Sequence, residues 1–189
     1  MPVSETTPIL VGVGAYSQRI DDPAAALEPV ALMVKALEAA GNDAGAPELL
    51  KRADSIRVPR GFWEYPDPAR WIAEHIHATS ARTVVSEIGV LQSSLLGQAA
   101  QDIAQGKSRI VLIAGGEAKY RALRAHITGS EAPLSSQPPI EADEVLRPGQ
   151  EILHPLEIER GAVMPVRQYA MVDNALRAEE GLSVDAHRD

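Results

Sequence analysis

The sequence of 189 residues contains no cysteine. This absence excludes disulfide bonds, thiolate metal sites and cysteine nucleophiles within these residues. Aromatic residues are scarce as well, at 4% of the chain with a single phenylalanine. No lysine or arginine run is present and the formal net charge is -8. We therefore expect no nucleic-acid partner, because neutralising phosphates requires clustered cations.

The sequence also lacks a long apolar run. The first residues, MPVSETTPILVGVGA, have neither a basic region nor an apolar stretch long enough for a signal peptide, and no later window approaches a membrane span. We therefore expect no membrane association and a cytoplasmic location. Hydrophobic residues make up 45% of the chain, which is typical of a globular protein with a substantial core.

The hydrophobic pattern predicts strands that alternate with helices. Strands are predicted at 8–14 (PILVGVG), 53–59, 81–86 and 110–114, and helices at 29–41, after the Asp67-Pro68 cap, and at 94–105. The predicted order βαβαβαβ with short loops indicates an α/β fold with a mostly parallel sheet and covering helices.

The composition changes after about residue 127. Residues 128–150 are rich in proline and serine and show no helical or strand period, which predicts a surface loop. A last helix is predicted from Pro165 to Glu180, with Tyr169, Val172 and Leu176 on one face. We divide the chain into an α/β core at 1–127, the loop at 128–150 and a helical segment at 151–189.

Three motifs carry only weak functional signals. GVGAYS (12–17) comes after a predicted strand, as the glycines of dinucleotide-binding motifs do. Serine replaces the third glycine, so a tight turn at the end of the strand is the preferred interpretation. A nucleotide-binding regulatory domain ranks third among the hypotheses for function, after the two given below. His75 and His77 are two residues apart, which on a helix points them to opposite sides and predicts no metal site. An aromatic cluster could form a ligand wall, although packing is preferred; its members are Phe62, Trp63 and Tyr65.

Several segments together resemble one protein family. LLGQAAQDIAQGKSRIVLIAGGEA (95–118) resembles a helix and the following strand of the thiolase superfamily. TPILVGVGAYSQRIDDP and ALEAAG are similar to the opening strand and first helix of acetyl-CoA acetyltransferase-like proteins. QYAMVDNALRAEEGLS (168–183) is similar to a helix of long thiolase-like proteins related to the sterol carrier protein-x thiolases. The resemblance implies the N-terminal half of a thiolase fold, followed by the start of its loop domain.

The resemblance also locates the position of the family's nucleophilic cysteine. Aligning Ala99, Ala100, Ile103 and Gly106 with the family pattern places that cysteine at Gly89, which has no side chain. The family needs the sulfur to carry an acyl group as a thioester. No catalytic residue is therefore predicted in this chain.

The helix start that remains can still polarise a bound acyl-CoA through its unpaired amides. By resemblance, Gly89, Gln92 and Ser93 line this site, and His154 in LHPLE is a weaker substrate-facing candidate. Ser93 and Ser94 are expected to act as helix caps and not as nucleophiles.

The leading hypothesis is a thiolase-like, acetyl-CoA acetyltransferase-like protein that binds acyl-CoA, uses no other cofactor and is not thiolytic alone. The alternative is a non-catalytic subunit of a catalytic thiolase-like or other CoA-dependent partner. The family's second half, with its remaining histidine and cysteine, is missing from this sequence, and the first half is expected to lack its returning strand. We therefore expect a homo-oligomer or a second thiolase-like chain to complete the unit.

Overall fold

The computed structural model describes residues 6–188. The described residues up to Pro148 form one compact unit and those from Gly149 onward form a second. The first unit contains a short 3-10 helix (Pro47–Arg52) and eight further elements: α1 (Pro29–Asp43), β1 (Ser55–Pro59), α2 (Pro68–His75), β2 (Arg82–Ser86), α3 (Gln92–Ala104), β3 (Val111–Ile113), α4 (Lys119–Thr128) and β4 (Glu144–Leu146).

The four strands form one sheet in the order β3-β1-β2-β4. Every pairing in it is parallel, with Ser55 opposite Arg82 on β2 and opposite Val111 on β3, and with Val84 opposite Glu144 on β4. The helices between consecutive strands are the crossovers that parallel pairing requires. The predicted fold class, an α/β fold with a parallel sheet and covering helices, is confirmed.

The two faces of the sheet are covered by different helices. Side chains alternate along a strand, so Ile56 and Thr83 share one face while Arg57 and Val84 share the other. Thr83 hydrogen-bonds to Asp67, the N-cap of α2, whereas Arg57 pairs with a residue of α3. Helix α2 therefore lies on the first face and α3 on the second.

Local signals explain the helices of the first face. Helix α1 begins at Pro29, and its Val30 and Met33 are fully buried in the main hydrophobic core with Ile56. Helix α2 begins as predicted, because the Asp67 carboxylate accepts a hydrogen bond from the Arg70 amide at 3.0 Å.

The strand predicted at 8–14 is wrong, because no residue described between 7 and 20 belongs to a strand. The segment packs on α1 instead. A Cβ atom at Gly12 would lie 2.2 Å from the Ala40 carbonyl oxygen, and one at Gly14 would lie 2.4 Å from the Ala36 carbonyl oxygen. The glycines thus allow close approach to a helix, and β1 pairs directly with β3. More than half of the side-chain surface is exposed at Ile9, Leu10, Val11 and Val13.

The prediction of a surface loop without strand period at 128–150 is also wrong in one part. Residues Glu144–Leu146 form β4, which pairs with β2. The Asp143 carboxylate accepts the Thr83 amide of β2 at 2.8 Å, and the Asp143 amide donates to the Thr83 hydroxyl at 3.0 Å. The segment thus adds a fourth strand at the β2 edge of the sheet, and the expectation that this half lacks the family's returning strand stays a prediction.

The second unit contains α5 (Pro155–Glu159), α6 (Pro165–Glu179) and α7 (Val184–Arg188). The predicted helix from Pro165 is confirmed and ends one residue earlier than expected. None of these three helices has a buried residue, and Tyr169, Val172 and Leu176 are each more than half exposed. Across residues 6–188, none of the helices has the length and apolar character needed to cross a membrane.

Candidate functional site

The chain leaves two neighbouring strands toward opposite faces of the sheet. The loop after β1 leads to α2 on one face, and the loop after β2 leads to α3 on the other. In open α/β sheets, such divergence opens a crevice at the carboxyl ends of the strands, where ligands bind. The candidate site lies at this edge, between residues 60–67 and 87–91.

Gly89 forms the turn that leads into α3. Its φ is 104°, a backbone conformation that only glycine adopts readily. Helix α3 begins three residues later at Gln92, and its N-cap residue Leu91 provides no side-chain hydrogen bond. The first-turn amides are therefore not capped by this side chain, and the helix dipole adds partial positive charge there.

The predicted capping role of Ser93 and Ser94 is wrong. Helix α3 starts at Gln92, two residues before the predicted start, so both serines lie inside its first turn. The Ser94 amide bonds to the Leu91 carbonyl at 2.9 Å. Because the chain turns at Gly89, the helix can begin at Gln92, earlier in the sequence than the hydrophobic pattern predicts.

The helix start combines exposed first-turn residues with exposed apolar side chains. Gly89, Gln92 and Ser93 are adjacent here and exposed. Ile88 and Leu91 are 49% and 70% exposed on the same loop. The amides can polarise a carbonyl oxygen and the side chains can contact an acyl chain, but no thiolate is present to form a thioester.

Arg60 and Glu87 form a rim for this crevice that the sequence did not indicate. The Arg60 amide donates to the Ser86 carbonyl at 2.8 Å, and the Arg60 Nε lies 2.9 Å from Glu87 Oε2. These residues are 27 positions apart in the sequence. Only the pairing of β1 with β2 brings them together, so no local pattern could have identified the pair.

A buried ion pair holds α3 against the sheet below the site. Arg57 of β1 is 2% exposed and pairs with Asp102 of α3, and its Nη1 lies 3.5 Å from Gln98 Oε1. The pair fixes α3 to the sheet, because the buried Arg57 charge would be strongly disfavoured without its carboxylate partner.

The aromatic cluster near β1 divides into a buried part and an exposed part. Trp63 and Tyr65 pack in the core with ring centroids 5.3 Å apart, as the packing interpretation predicts. Phe62 is 78% exposed, so that interpretation is wrong for Phe62. Burial raises the pKa of the Tyr65 hydroxyl, which donates to Glu28 Oε2 at 2.7 Å.

The histidines considered in the sequence lie in separate local settings. His154, in the second unit, is the N-cap of α5 and forms a capping box with Glu157. His75 stacks on Trp71 with ring centroids 3.4 Å apart. His77 has a φ of 60° in the turn after α2. Within residues 6–188, no group of three or more histidine or acidic side chains is placed to hold a metal.

Comparison with solved structures shows the class of fold. The chain is similar to a monomeric SCP2-thiolase like protein type 1 from Mycobacterium smegmatis, with a TM-score of 0.61 and 24% identity over 99% of this chain. It spans 33% of that protein's length. The fold is therefore thiolase-like. No family model matches the sequence, and no curated protein matches it.

Proposed function

We propose that this chain is a thiolase-like, acetyl-CoA acetyltransferase-like protein that binds acyl-CoA at the carboxyl edge of its sheet, without thiolytic activity of its own. The observation that carries the proposal is the start of α3, where Gly89, with a φ of 104°, precedes a helix whose N-cap side chain makes no capping hydrogen bond. The thioester oxygen accepts hydrogen bonds from these amides, which favour an acceptor of partial negative charge.

The lack of thiolysis follows from the residues at the same place. Thiolysis requires an attacking sulfur activated by a base. Gly89 has no side chain, and within the described residues no histidine is hydrogen-bonded to the Ser93 hydroxyl. Bound acyl-CoA is thus polarised but not cleaved.

The second candidate function is a non-catalytic subunit that pairs with a catalytic thiolase-like or other CoA-dependent chain, or with a second copy of itself. The apolar face of α6 favours it, because Tyr169, Val172 and Leu176 are each more than half exposed. Acetyl-CoA binding by the isolated chain separates this candidate from the first.

A pair of variants tests the role of the amides. Gln92→Pro removes one first-turn amide, and the helix tolerates it because proline suits the first helical position and Leu91 has an extended ψ of 138°. Gln92→Ala keeps the amide. We expect Gln92→Pro to weaken acetyl-CoA binding about fivefold, as for one lost hydrogen bond, and Gln92→Ala to change it little.

Isothermal titration calorimetry with acetyl-CoA measures both variants. Equal affinity for wild type and Gln92→Pro, or no binding by the wild type, contradicts acyl-CoA binding at this helix. A separate assay supplies acetoacetyl-CoA and free CoA. Turnover at an ordinary enzymatic rate would contradict the absence of thiolysis.

A further inference from the structure

The loops that follow β1 and β3 are fixed to each other at the carboxyl edge of the sheet. The Trp63 indole donates to the Gly116 carbonyl at 3.0 Å, and the Phe62 amide donates to Glu117 Oε1 at 2.7 Å. A Cβ atom at Gly61 would lie 2.5 Å from the same Glu117 oxygen, so the close contact depends on glycine. The two loops form one rigid corner.

The corner presents an aromatic ring next to a cation. Phe62 is the only phenylalanine in the sequence, and it is 78% exposed although the adjacent Trp63 is buried. The Lys119 Nζ lies 4.2 Å from the centroid of the Phe62 ring. A ring on an anchored loop loses little conformational entropy on binding, so it is suited to stack against a flat ligand.

A small cavity adjoins the same lysine. It has a volume of about 150 Å³, and its walls include Tyr16, Ser17, Glu117 and Lys119. Tyr16 and Ser17 end the GVGAYS segment, whose glycines lie against α1. The motif that weakly suggested a nucleotide site therefore borders the corner that carries Phe62.

Together these residues offer the groups that recognise a purine nucleotide. Bases stack on exposed aromatic rings. The Lys119 ammonium can pair with a phosphate, and the Glu117 carboxylate can accept a hydrogen bond from an exocyclic amine. Since Lys119 and Glu117 have opposite charges, a plain anion gains little here, whereas a ligand with both a phosphate and an amine satisfies both residues.

We propose that the corner formed by Phe62, Glu117 and Lys119 binds an adenine nucleotide, and that it receives the nucleotide end of acyl-CoA. The second part rests on the proposed function. The corner follows β1 and β3, and the start of α3 follows β2. Because β2 and β3 are two strand spacings apart, about 10 Å, one extended ligand can reach both places along the edge.

Calorimetry of the full chain with ADP tests the corner directly. We expect the wild type to bind ADP, with affinity reduced about tenfold or more in Phe62→Ala and in Lys119→Ala, and retained in Phe62→Trp. Inosine diphosphate should bind more weakly than ADP, because it presents a carbonyl to Glu117 where adenine presents an amine. Lys107→Ala is the control for loss of one exposed lysine elsewhere on the surface.

Two CoA fragments separate this proposal from the proposed function. Acetyl-pantetheine lacks the nucleotide, so it should bind more weakly than acetyl-CoA and be insensitive to Phe62→Ala. Nucleotide binding at the corner is contradicted if the wild type does not bind ADP, or if Phe62→Ala and Lys119→Ala bind ADP as tightly as the wild type. Acetyl-pantetheine binding that is weakened by Gln92→Pro still supports the helix site in that case. ADP binding without any gain of acetyl-CoA over acetyl-pantetheine overturns the assignment to acyl-CoA.

Discussion

Arg57 of β1 and Asp102 of α3 form an ion pair between the sheet and the helix whose first turn lies in the candidate site. Arg57 is 2% exposed and Asp102 is 20% exposed. Gln98, one turn earlier on α3, lies 3.5 Å from the same guanidinium. The position of α3 thus depends on a charge pair beneath it as well as on apolar packing.

Removing the carboxylate of this pair should destabilise the fold strongly. Asp102→Ala leaves the Arg57 charge buried without its partner, so we expect a loss of about 3 kcal/mol in the free energy of unfolding. The double variant Arg57→Met/Asp102→Leu should recover most of that loss, because an apolar pair needs no desolvated charge. Urea unfolding followed by circular dichroism measures all three proteins.

Lys107→Ala is the matched control for this prediction. Its ammonium lies 3.9 Å from Asp102 and is largely exposed, so we expect a loss below about 0.5 kcal/mol. A loss in Asp102→Ala as small as that in Lys107→Ala would show that the buried pair does not hold α3.

The attachment of β4 should depend on pH through Asp143. The Thr83 amide and Arg70 hold the pKa of the Asp143 carboxyl below its usual value of 3.8. The lowered pKa means that ionised Asp143 stabilises the fold above pH 3.8, and that this contribution is lost as the pH falls through the lower folded-state value. Asp143→Asn should therefore be less stable than wild type at pH 7, with the difference shrinking in strong acid.

Glu141→Gln provides the comparison for Asp143→Asn. Glu141 precedes the same strand and is 75% exposed, with Arg147 at 3.9 Å. We expect its stability relative to wild type to change little between pH 7 and about pH 3. If the two variants show the same pH dependence by urea unfolding, the stabilising role of Asp143 is contradicted.

Short-range signals account for the parts of the fold that the sequence predicted. Ile56 and Val58 alternate with polar residues on β1, and both are fully buried. Asp67 followed by Pro68 predicts the start of α2, because a capping carboxylate and a proline with fixed φ act within four residues. These signals need no knowledge of the rest of the chain.

The incorrect predictions concern contacts between distant residues. The apolar segment at 8–14 has the composition of a buried strand, but Gly12 and Gly14 fit it to the backbone of α1. Strand β4 has only three residues, and its place is set by Asp143 bonding to Thr83, 60 positions earlier. No periodicity within either segment contains that information.

In the candidate site too, local features were predictable from the sequence and contacts between distant residues were not. The resemblance places Gly89 just before α3, and the structure has Gly89 in the turn that leads into this helix, although the helix starts two residues earlier than predicted. The rim pair of Arg60 and Glu87 depends on the pairing of β1 with β2. The exposure of Phe62 depends on Glu117, 55 positions later. Such pairs become predictable only when the strand order is known.

His77→Gly should stabilise the protein. His77 is exposed and has a φ of 60°, where a side chain is strained and glycine is not. The relieved strain is worth about 1–2 kcal/mol, and the freedom of glycine in the unfolded chain offsets about 0.4–1 kcal/mol of it, so we expect a net gain of about 0.5–1 kcal/mol in thermal or urea unfolding. In contrast, His126→Gly replaces a residue within α4 and should cost about 1 kcal/mol. A loss of stability in His77→Gly would contradict the strain assigned to this turn.

Gly12→Ala should release the segment at 8–14 from α1. The added Cβ would lie 2.2 Å from the Ala40 carbonyl oxygen, and a backbone atom of a helix cannot move aside easily. We expect faster cleavage of this segment by a low concentration of chymotrypsin. Gly97→Ala is the matched change in α3, where a Cβ meets nothing within 4 Å, and it should leave cleavage of the segment unchanged. Equal cleavage of the two variants would contradict the packing of Gly12 on α1.

The electropositive character of the α3 start can be measured with an introduced thiol. Because the sequence has no cysteine, Ser93→Cys and Gln105→Cys each place a single thiol, at the first turn and at the C-cap of the same helix. A helix N-terminus lowers the pKa of a thiol, since its partial positive charge stabilises the thiolate. Both positions are exposed, so access does not separate them.

We therefore expect iodoacetamide to alkylate Ser93→Cys about threefold or more faster than Gln105→Cys at pH 7, with the ratio approaching one above the pKa of both thiols. Added salt should reduce the ratio only slightly if the helix amides act at short range, and strongly if distant surface charges cause the difference. Equal rates at pH 7 would mean that this helix start does not stabilise negative charge. The amides of Gln92 and Ser93 could then not polarise a thioester oxygen, and the proposed binding site would lose its chemical basis.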